Sequence, residues 1–104
     1  MTCSEIRDYL LTVDPEIERY ESSHHGESAY TVWREIGPGN QFADGVVQNV
    51  MRFQVDRYTK TENDPIALQL WIALEENDDI AFSYEVDYEP ETGYIHHIFD
   101  CEGC

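Results

Sequence analysis

The chain of 104 residues carries 22 acidic side chains against six basic ones, which gives a formal net charge of −16. This length is typical of one domain, so we expect a single domain over residues 1–104. A surface this negative repels phosphate backbones, which excludes direct nucleic-acid binding through a basic patch.

The first predicted elements are a short helix and a strand. Apolar residues recur at helical spacing over residues 4–13, and Pro15 ends the helix because the residue before proline avoids helical geometry. Ile17 and Tyr20 fit either another helical turn or an edge strand, and residues 22–28 form a polar loop. The β-branched and aromatic residues at 30–36 predict a strand, which the Gly-Pro-Gly-Asn segment at 37–40 ends.

The longest predicted strand covers residues 46–58. Apolar and polar positions alternate along it, so one face of the strand should be buried and the other solvated. The apolar positions are Val47, Met51, Phe53 and Val55.

A second helix is predicted over residues 65–76. Asp64 is a capping acid, and Pro65 suits the first helical position because its missing N–H has no intrahelical partner there. The helix is apolar almost all the way round, unlike an ordinary surface helix with one apolar stripe. One side should meet the sheet, and Leu68, Trp71 and Ile72 should lie on the exposed side. Such a patch requires a covering subunit, so the sequence predicts self-association.

The last third predicts a hairpin, with strands at 80–88 and 94–100 around a turn at 90–93. Strand pairs separated by one helix indicate an α+β fold. We therefore expect a mainly antiparallel four-stranded sheet with two helices packed on one face.

Parts of this pattern resemble the tail-terminator and tail-completion proteins of tailed bacteriophages. The segment Arg-Phe-Gln-Val-Asp-Arg-Tyr at 52–58, followed by a helix, resembles the sheet strand of that family. The closing hairpin over 88–99 resembles the C-terminal hairpin of the family, and the strand at 30–36 has a counterpart as well. The resemblance covers most of the chain from Tyr30 onward.

The resemblance implies a structural protein with no enzymatic activity and no cofactor. Its copies would form a ring, usually of six, that ends the tail tube and joins it to the head. The implied partners are other copies of the chain, the tail tube protein and the head–neck connector proteins. The implied location is the virion, with the host cytoplasm as the place of assembly and no membrane association.

Two sets of residues are candidates for this role. The expected subunit contacts are Leu68, Trp71, Ile72, Gln41 and Phe42. The acidic residues expected to face the lumen of the ring are Glu85, Asp87 and Glu89.

Other interpretations remain open at the level of sequence. An acidic inhibitor that mimics DNA and binds a basic protein partner would account for the charge equally well. A zinc site built from Cys101, Cys104 and His97 would need a fourth ligand from Cys3 or from the His24–His25 pair. The alternative for the cysteines is free thiols, because their odd number and the absence of a secretory signal argue against a disulfide framework. No nucleophile–base motif or phosphate-binding glycine loop indicates an enzyme.

Overall fold

A computed structural model of the chain shows an α+β fold in which two helices pack against a five-stranded sheet. The structure describes residues 3–21, 23, 28–38, 42–43, 46–47 and 51–103. The elements are α1 (Cys3–Val13), β1 (Glu18–Arg19), β2 (Ala29–Pro38), β3 (Phe42–Ala43), β4 (Val46–Val47), β5 (Met51–Thr59), α2 (Pro65–Glu76), β6 (Ile80–Glu89) and β7 (Tyr94–Gly103). The α+β class predicted from the sequence is confirmed. No helix in these ranges is both long enough and apolar enough to span a membrane.

The main sheet is mixed and has the strand order β1-β2-β5-β7-β6. β1 runs parallel to β2, and each of the other neighbouring pairs is antiparallel. The expected four-stranded sheet is therefore wrong in one respect, because Glu18 and Arg19 add a fifth strand at the edge. A strand of two residues is too short to show the alternation by which strands are recognised in a sequence.

The strand predicted over 46–58 is also divided differently in the structure. Val46 and Val47 form β4, which pairs with β3 in a separate two-stranded sheet, and β5 begins only at Met51. Val47 therefore does not belong to β5, where the alternation placed it. An Asp-Gly pair at 44–45 separates β3 from β4, and this pair is a strong signal for a two-residue hairpin.

The hydrophobic core lies between the two helices and one face of the sheet. Register places the fully buried side chains of Trp33, Val55 and Phe99 side by side on β2, β5 and β7. α1 contributes Ile6 and Leu10 to the same core, and α2 contributes Leu70 and Leu74. Each fully buried side chain of this size stabilises the fold by roughly 1.5–3 kcal/mol.

A buried ionic network fixes the start of α2 against the sheet. The carboxylate of Asp64 accepts hydrogen bonds from Nε and Nη2 of Arg57 at 2.9 and 3.2 Å. It also accepts a bond from the backbone N–H of Ala67 at 2.9 Å, so it caps the helix as the sequence predicts. Arg57 further donates to Oγ1 of Thr31 at 3.1 Å and lies 3.8 Å from the carboxylate of Asp14. The network thereby links both helices to the central strands.

Candidate functional site: an exposed apolar surface on α2 and β6

α2 has a buried side and an exposed side, and both are apolar. Ala67, Leu70 and Leu74 recur at spacings of three and four residues and lie against the core. The exposed large residues of the helix are Leu68, Trp71 and Ile72. The exposure that the sequence predicts for these three side chains is confirmed, while their role in a subunit contact stays a prediction.

Strand β6 continues this apolar surface beyond the helix. Tyr84, Val86 and Tyr88 lie two residues apart, so they share one face of the strand. Tyr84 lines a pocket of about 320 Å³ together with Leu68 and Trp71, which places the face on the same side of the sheet as α2. We call the six side chains of α2 and β6 the outer apolar surface; each is between 38% and 60% exposed.

The difference in length between α2 and β6 explains why the β6 part of the outer apolar surface is uncovered. A helix of 12 residues is about 18 Å long, whereas a strand of ten residues is about 33 Å long. Only the beginning of β6 lies under the helix, where Ile80 is buried and Phe82 contacts the Trp71 ring at 6.2 Å between centroids. The exposure of Tyr84, Val86 and Tyr88 was not predicted from the sequence, although the predicted lengths of the helix and the strand indicate it.

The acidic residues of β6 lie on the opposite face of the strand. Glu85 and Asp87 are exposed, and they alternate with the tyrosine and valine side chains of the outer apolar surface. Glu89 is half-buried; its carboxylate accepts a hydrogen bond from Oγ1 of Thr92 at 3.2 Å and lies 3.7 Å from Nδ1 of His96. The three carboxylates therefore share a face, and their place in a ring lumen stays a prediction.

The other two predicted contact residues belong to the segment around β3. Phe42 lies in β3, where its backbone pairs with that of Val47, and its side chain is not among those described. Gln41 lies outside the described residues.

The residues suggested for a zinc site do not come together where the structure describes them. His97 and Cys101 point to the same face of β7, but four residues of strand separate them by about 13 Å. Nδ1 of His97 lies 2.7 Å from Oη of Tyr84, and burial lowers the pKa of the imidazole. Burial, with the nearby charge of Asp100, raises the pKa of the Cys101 thiol well above its usual value. Cys104 lies outside the described residues, and no three potential ligands cluster within the ranges described.

Comparison with known proteins adds no family assignment. A scan against protein-family models finds no matching family, and a search of curated proteins finds no match. The relationship to phage tail terminators therefore stands as a prediction from the sequence pattern.

Proposed function

We propose that this chain is a structural assembly protein of a tailed phage or prophage. In this proposal, six copies of the chain form a ring that ends the tail tube and joins it to the head–neck connector. The observation that carries the proposal is the outer apolar surface of α2 and β6, which a second copy would cover.

The composition of the outer apolar surface supports a protein–protein contact. Leu68 and Trp71 from the helix line one pocket with Tyr84 from the strand, and Ile72 lies one helical turn from Leu68. None of the six members of the surface carries a charge. Trp and Tyr are among the side chains that dominate binding energy at interfaces, and the centres of interfaces are depleted of charged residues. The chain as a whole carries a net charge of −16, so copies repel one another until such contacts or salt outweigh the repulsion.

A ring further requires each copy to use two different surfaces, one toward each neighbour. The outer apolar surface supplies one of them. Our candidate for the second surface is the segment around Gln41 and Phe42. This segment includes strand β3, which forms with β4 a two-stranded sheet separate from the main sheet.

The acidic face of β6 is compatible with a passage for DNA. Glu85 and Asp87 are exposed on the face opposite the outer apolar surface. Carboxylates along such a passage repel the phosphate backbone, so DNA would move through without binding. The same acidic face would also suit an inhibitor that binds a basic protein, which is the second candidate function. The measurement of oligomeric state described next distinguishes this function from ring assembly.

The interface is tested by changing its charge. In the Leu68→Glu, Ile72→Glu double variant, two carboxylates on each copy would be buried without a partner, so we expect a folded monomer of 12.1 kDa by light scattering after size-exclusion chromatography. Leu11→Glu is the matched control, because Leu11 is an exposed leucine on the other helix and lies outside the surface. We expect this variant to assemble like the unchanged chain.

Three outcomes count against the proposal. Rings formed by the double variant would show that the interface lies elsewhere. Equal loss of assembly in the Leu11→Glu control would show that added charge alone is responsible. A monomeric unchanged chain that binds a basic protein in a salt-sensitive manner would favour the acidic inhibitor.

A further inference from the structure

Strand β6 forms one edge of the main sheet. It pairs with β7 on one side, and no other described segment pairs with it on the other side. All residues from 83 to 88 are exposed, whichever face of the strand they occupy. The register with β7 runs from Ile80 to Glu89 without a shift, so no bulge turns this edge away from a partner. We call the side of β6 that faces away from β7 the β6 edge.

A hydrogen bond at Tyr88 shows which backbone groups lie on the β6 edge. The N–H of Tyr88 donates to the carboxylate of Asp87 at 2.9 Å, so it does not point to β7. In an antiparallel strand the N–H and C=O of one residue point to the same neighbouring strand, and successive residues alternate. The N–H and C=O groups of Tyr84 and Val86 therefore also point away from β7, where they can pair with an added strand.

The side chains of β6 set the chemistry of a strand that could pair there. Tyr84, Val86 and Tyr88 lie on one face of the strand, and the exposed acids Glu85 and Asp87 lie on the other. Residues directly opposite each other on paired strands lie on the same face of a sheet. A strand added at the β6 edge therefore places alternate side chains beside an apolar row and an acidic row. Apolar residues that alternate with basic ones are complementary to both rows.

The same carboxylates disfavour a second copy of β6 at this edge. If two β6 strands paired antiparallel around Val86, Glu85 of each copy would lie opposite Asp87 of the other. Like charges directly opposite destabilise a strand pair, and the net charge of −16 on each chain adds to the repulsion. Charged side chains protect natural edge strands from pairing with their own copies in this way. A basic strand reverses the sign of the interaction, so the β6 edge discriminates between the two occupants.

We propose that the β6 edge binds an extended segment of a partner protein in which basic residues alternate with apolar ones. The segment would add to the sheet as an antiparallel strand, with its backbone bonded to Tyr84 and Val86 and its basic side chains beside Glu85 and Asp87. This interaction goes beyond the proposed assembly function. It uses backbone groups in the plane of the sheet and does not depend on ring formation, so it is tested on the monomeric double variant.

The probe is the peptide acetyl-Thr-Val-Lys-Val-Arg-Val-Thr-amide. When its valines lie on the apolar face, alternation directs their N–H groups to the β6 edge and those of the lysine and arginine away from it. One control peptide is N-methylated at two valines and the other at the lysine and the arginine, so the two have the same charge and the same number of methyl groups. We expect the first to bind at least about tenfold more weakly than the unmodified probe and the second within about threefold of it, because only the first loses donors to the edge.

Backbone amide signals in an NMR titration locate the contact. We expect the unmodified probe to shift the amide signals of Tyr84 and Val86 saturably and to slow their hydrogen exchange. The amides of Glu85 and Asp87 point to β7 and should already be protected before the probe is added.

Matched variants separate strand pairing from general attraction to an acidic protein. Val86→Pro removes an N–H that points away from β7, so it should leave the ladder with β7 intact and weaken binding at least about tenfold. Val86→Ala keeps that N–H and should lose less than about threefold. Glu85→Gln with Asp87→Asn should weaken binding about fivefold or more, whereas Glu75→Gln with Asp78→Asn removes the same charge from exposed acids outside β6 and should change it less than about twofold.

Four results would overturn the proposal. Absence of binding at about 1 mM probe would show that the edge does not accept such a strand. Equal binding of the two N-methylated peptides would exclude backbone pairing. Equal losses in the two pairs of acid variants would reduce the effect to general electrostatics. Signal shifts confined to residues outside β6 would place the contact elsewhere.

Discussion

Asp64 is the residue whose loss should most clearly reveal how α2 is held on the sheet. Replacing it with alanine removes two hydrogen bonds to Arg57 and the bond from the N–H of Ala67 that caps the helix. Arg57 is buried and, among the side chains that the structure describes, would keep only the carboxylate of Asp14 at 3.8 Å and the hydroxyl of Thr31. The variant therefore leaves the buried guanidinium of Arg57 with fewer and more distant acceptors to balance its charge.

The expected cost follows from these contacts. Loss of a helix cap costs about 1 kcal/mol, and breaking a buried ion pair costs about 3–5 kcal/mol. Because Asp14 still compensates part of the Arg57 charge, we expect Asp64→Ala to lower the free energy of unfolding by about 3–4 kcal/mol in total. Asp64→Asn keeps a capping side chain but loses the charge, so its cost should lie between that of alanine and zero.

The pH dependence gives a second readout of the same network. Burial by itself raises the pKa of the Asp64 carboxyl, but the bonds from Arg57 and Ala67 outweigh it, and the pKa lies below its usual value of 3.8. A lowered pKa in the folded state means that the stabilisation is present at neutral pH and is lost as the pH falls from about 4 through that lowered pKa. The difference between the unchanged chain and Asp64→Ala should therefore shrink below about pH 4.

Urea unfolding followed by fluorescence of the buried Trp33 measures both effects. The measurement is best made in the Leu68→Glu, Ile72→Glu background, so that unfolding is not coupled to association. Asp78→Ala is the control, because Asp78 is an exposed acid in a turn and its loss should cost less than about 0.5 kcal/mol. An Asp64→Ala cost no larger than that of the control, and unchanged between neutral and acid pH, would refute the reasoning.

Two further predictions concern side chains on the sheet face against which the helices pack. Phe99→Ala should lower the free energy of unfolding by about 3–5 kcal/mol because Phe99 is fully buried. Tyr88→Ala should lower it by less than about 0.5 kcal/mol, because Tyr88 is exposed. Denaturant titration of both variants in the monomeric Leu68→Glu, Ile72→Glu background measures the two values. The Cys101 thiol should react with a disulfide reagent only once denaturant opens the core, because it is buried and its pKa is raised. Rapid labelling of Cys101 in the folded Cys3→Ser, Cys104→Ser variant would contradict its placement.

The elements predicted most accurately are those that local sequence patterns mark, such as a helix cap or an alternation of apolar and polar residues. α2 begins at Pro65 and ends at Glu76 as predicted, because Asp64 and Pro65 mark its start through local chemistry. The closing hairpin was also found from alternation, and its strands are only slightly longer than predicted. The sequence around β1 fitted either a helical turn or an edge strand. It could not decide between them because β1 is defined only by its pairing with β2, which lies more than ten residues away.

The candidate sites depended on relationships that no local pattern contains. Alternation placed Asp56 on a solvated face, yet the structure buries it beside His96, which lies 40 residues further along the chain. Arg57 was not singled out in the sequence, and no local pattern shows that Asp64 pairs with it. Long-range register decides both environments, so neither the surroundings of Asp56 nor the ionic network could be predicted from the sequence.

The measurement that tests the central claim most directly is the absolute mass of the unchanged chain in solution. Size-exclusion chromatography with light scattering should be run at about 0.1 M and about 1 M salt, because the screening length falls from about 10 Å to about 3 Å between them. We predict a ring-sized species, near six times the 12.1 kDa of one chain, that is favoured at high salt and visible as rings by electron microscopy. A strict monomer at both salt concentrations would contradict self-association through the outer apolar surface.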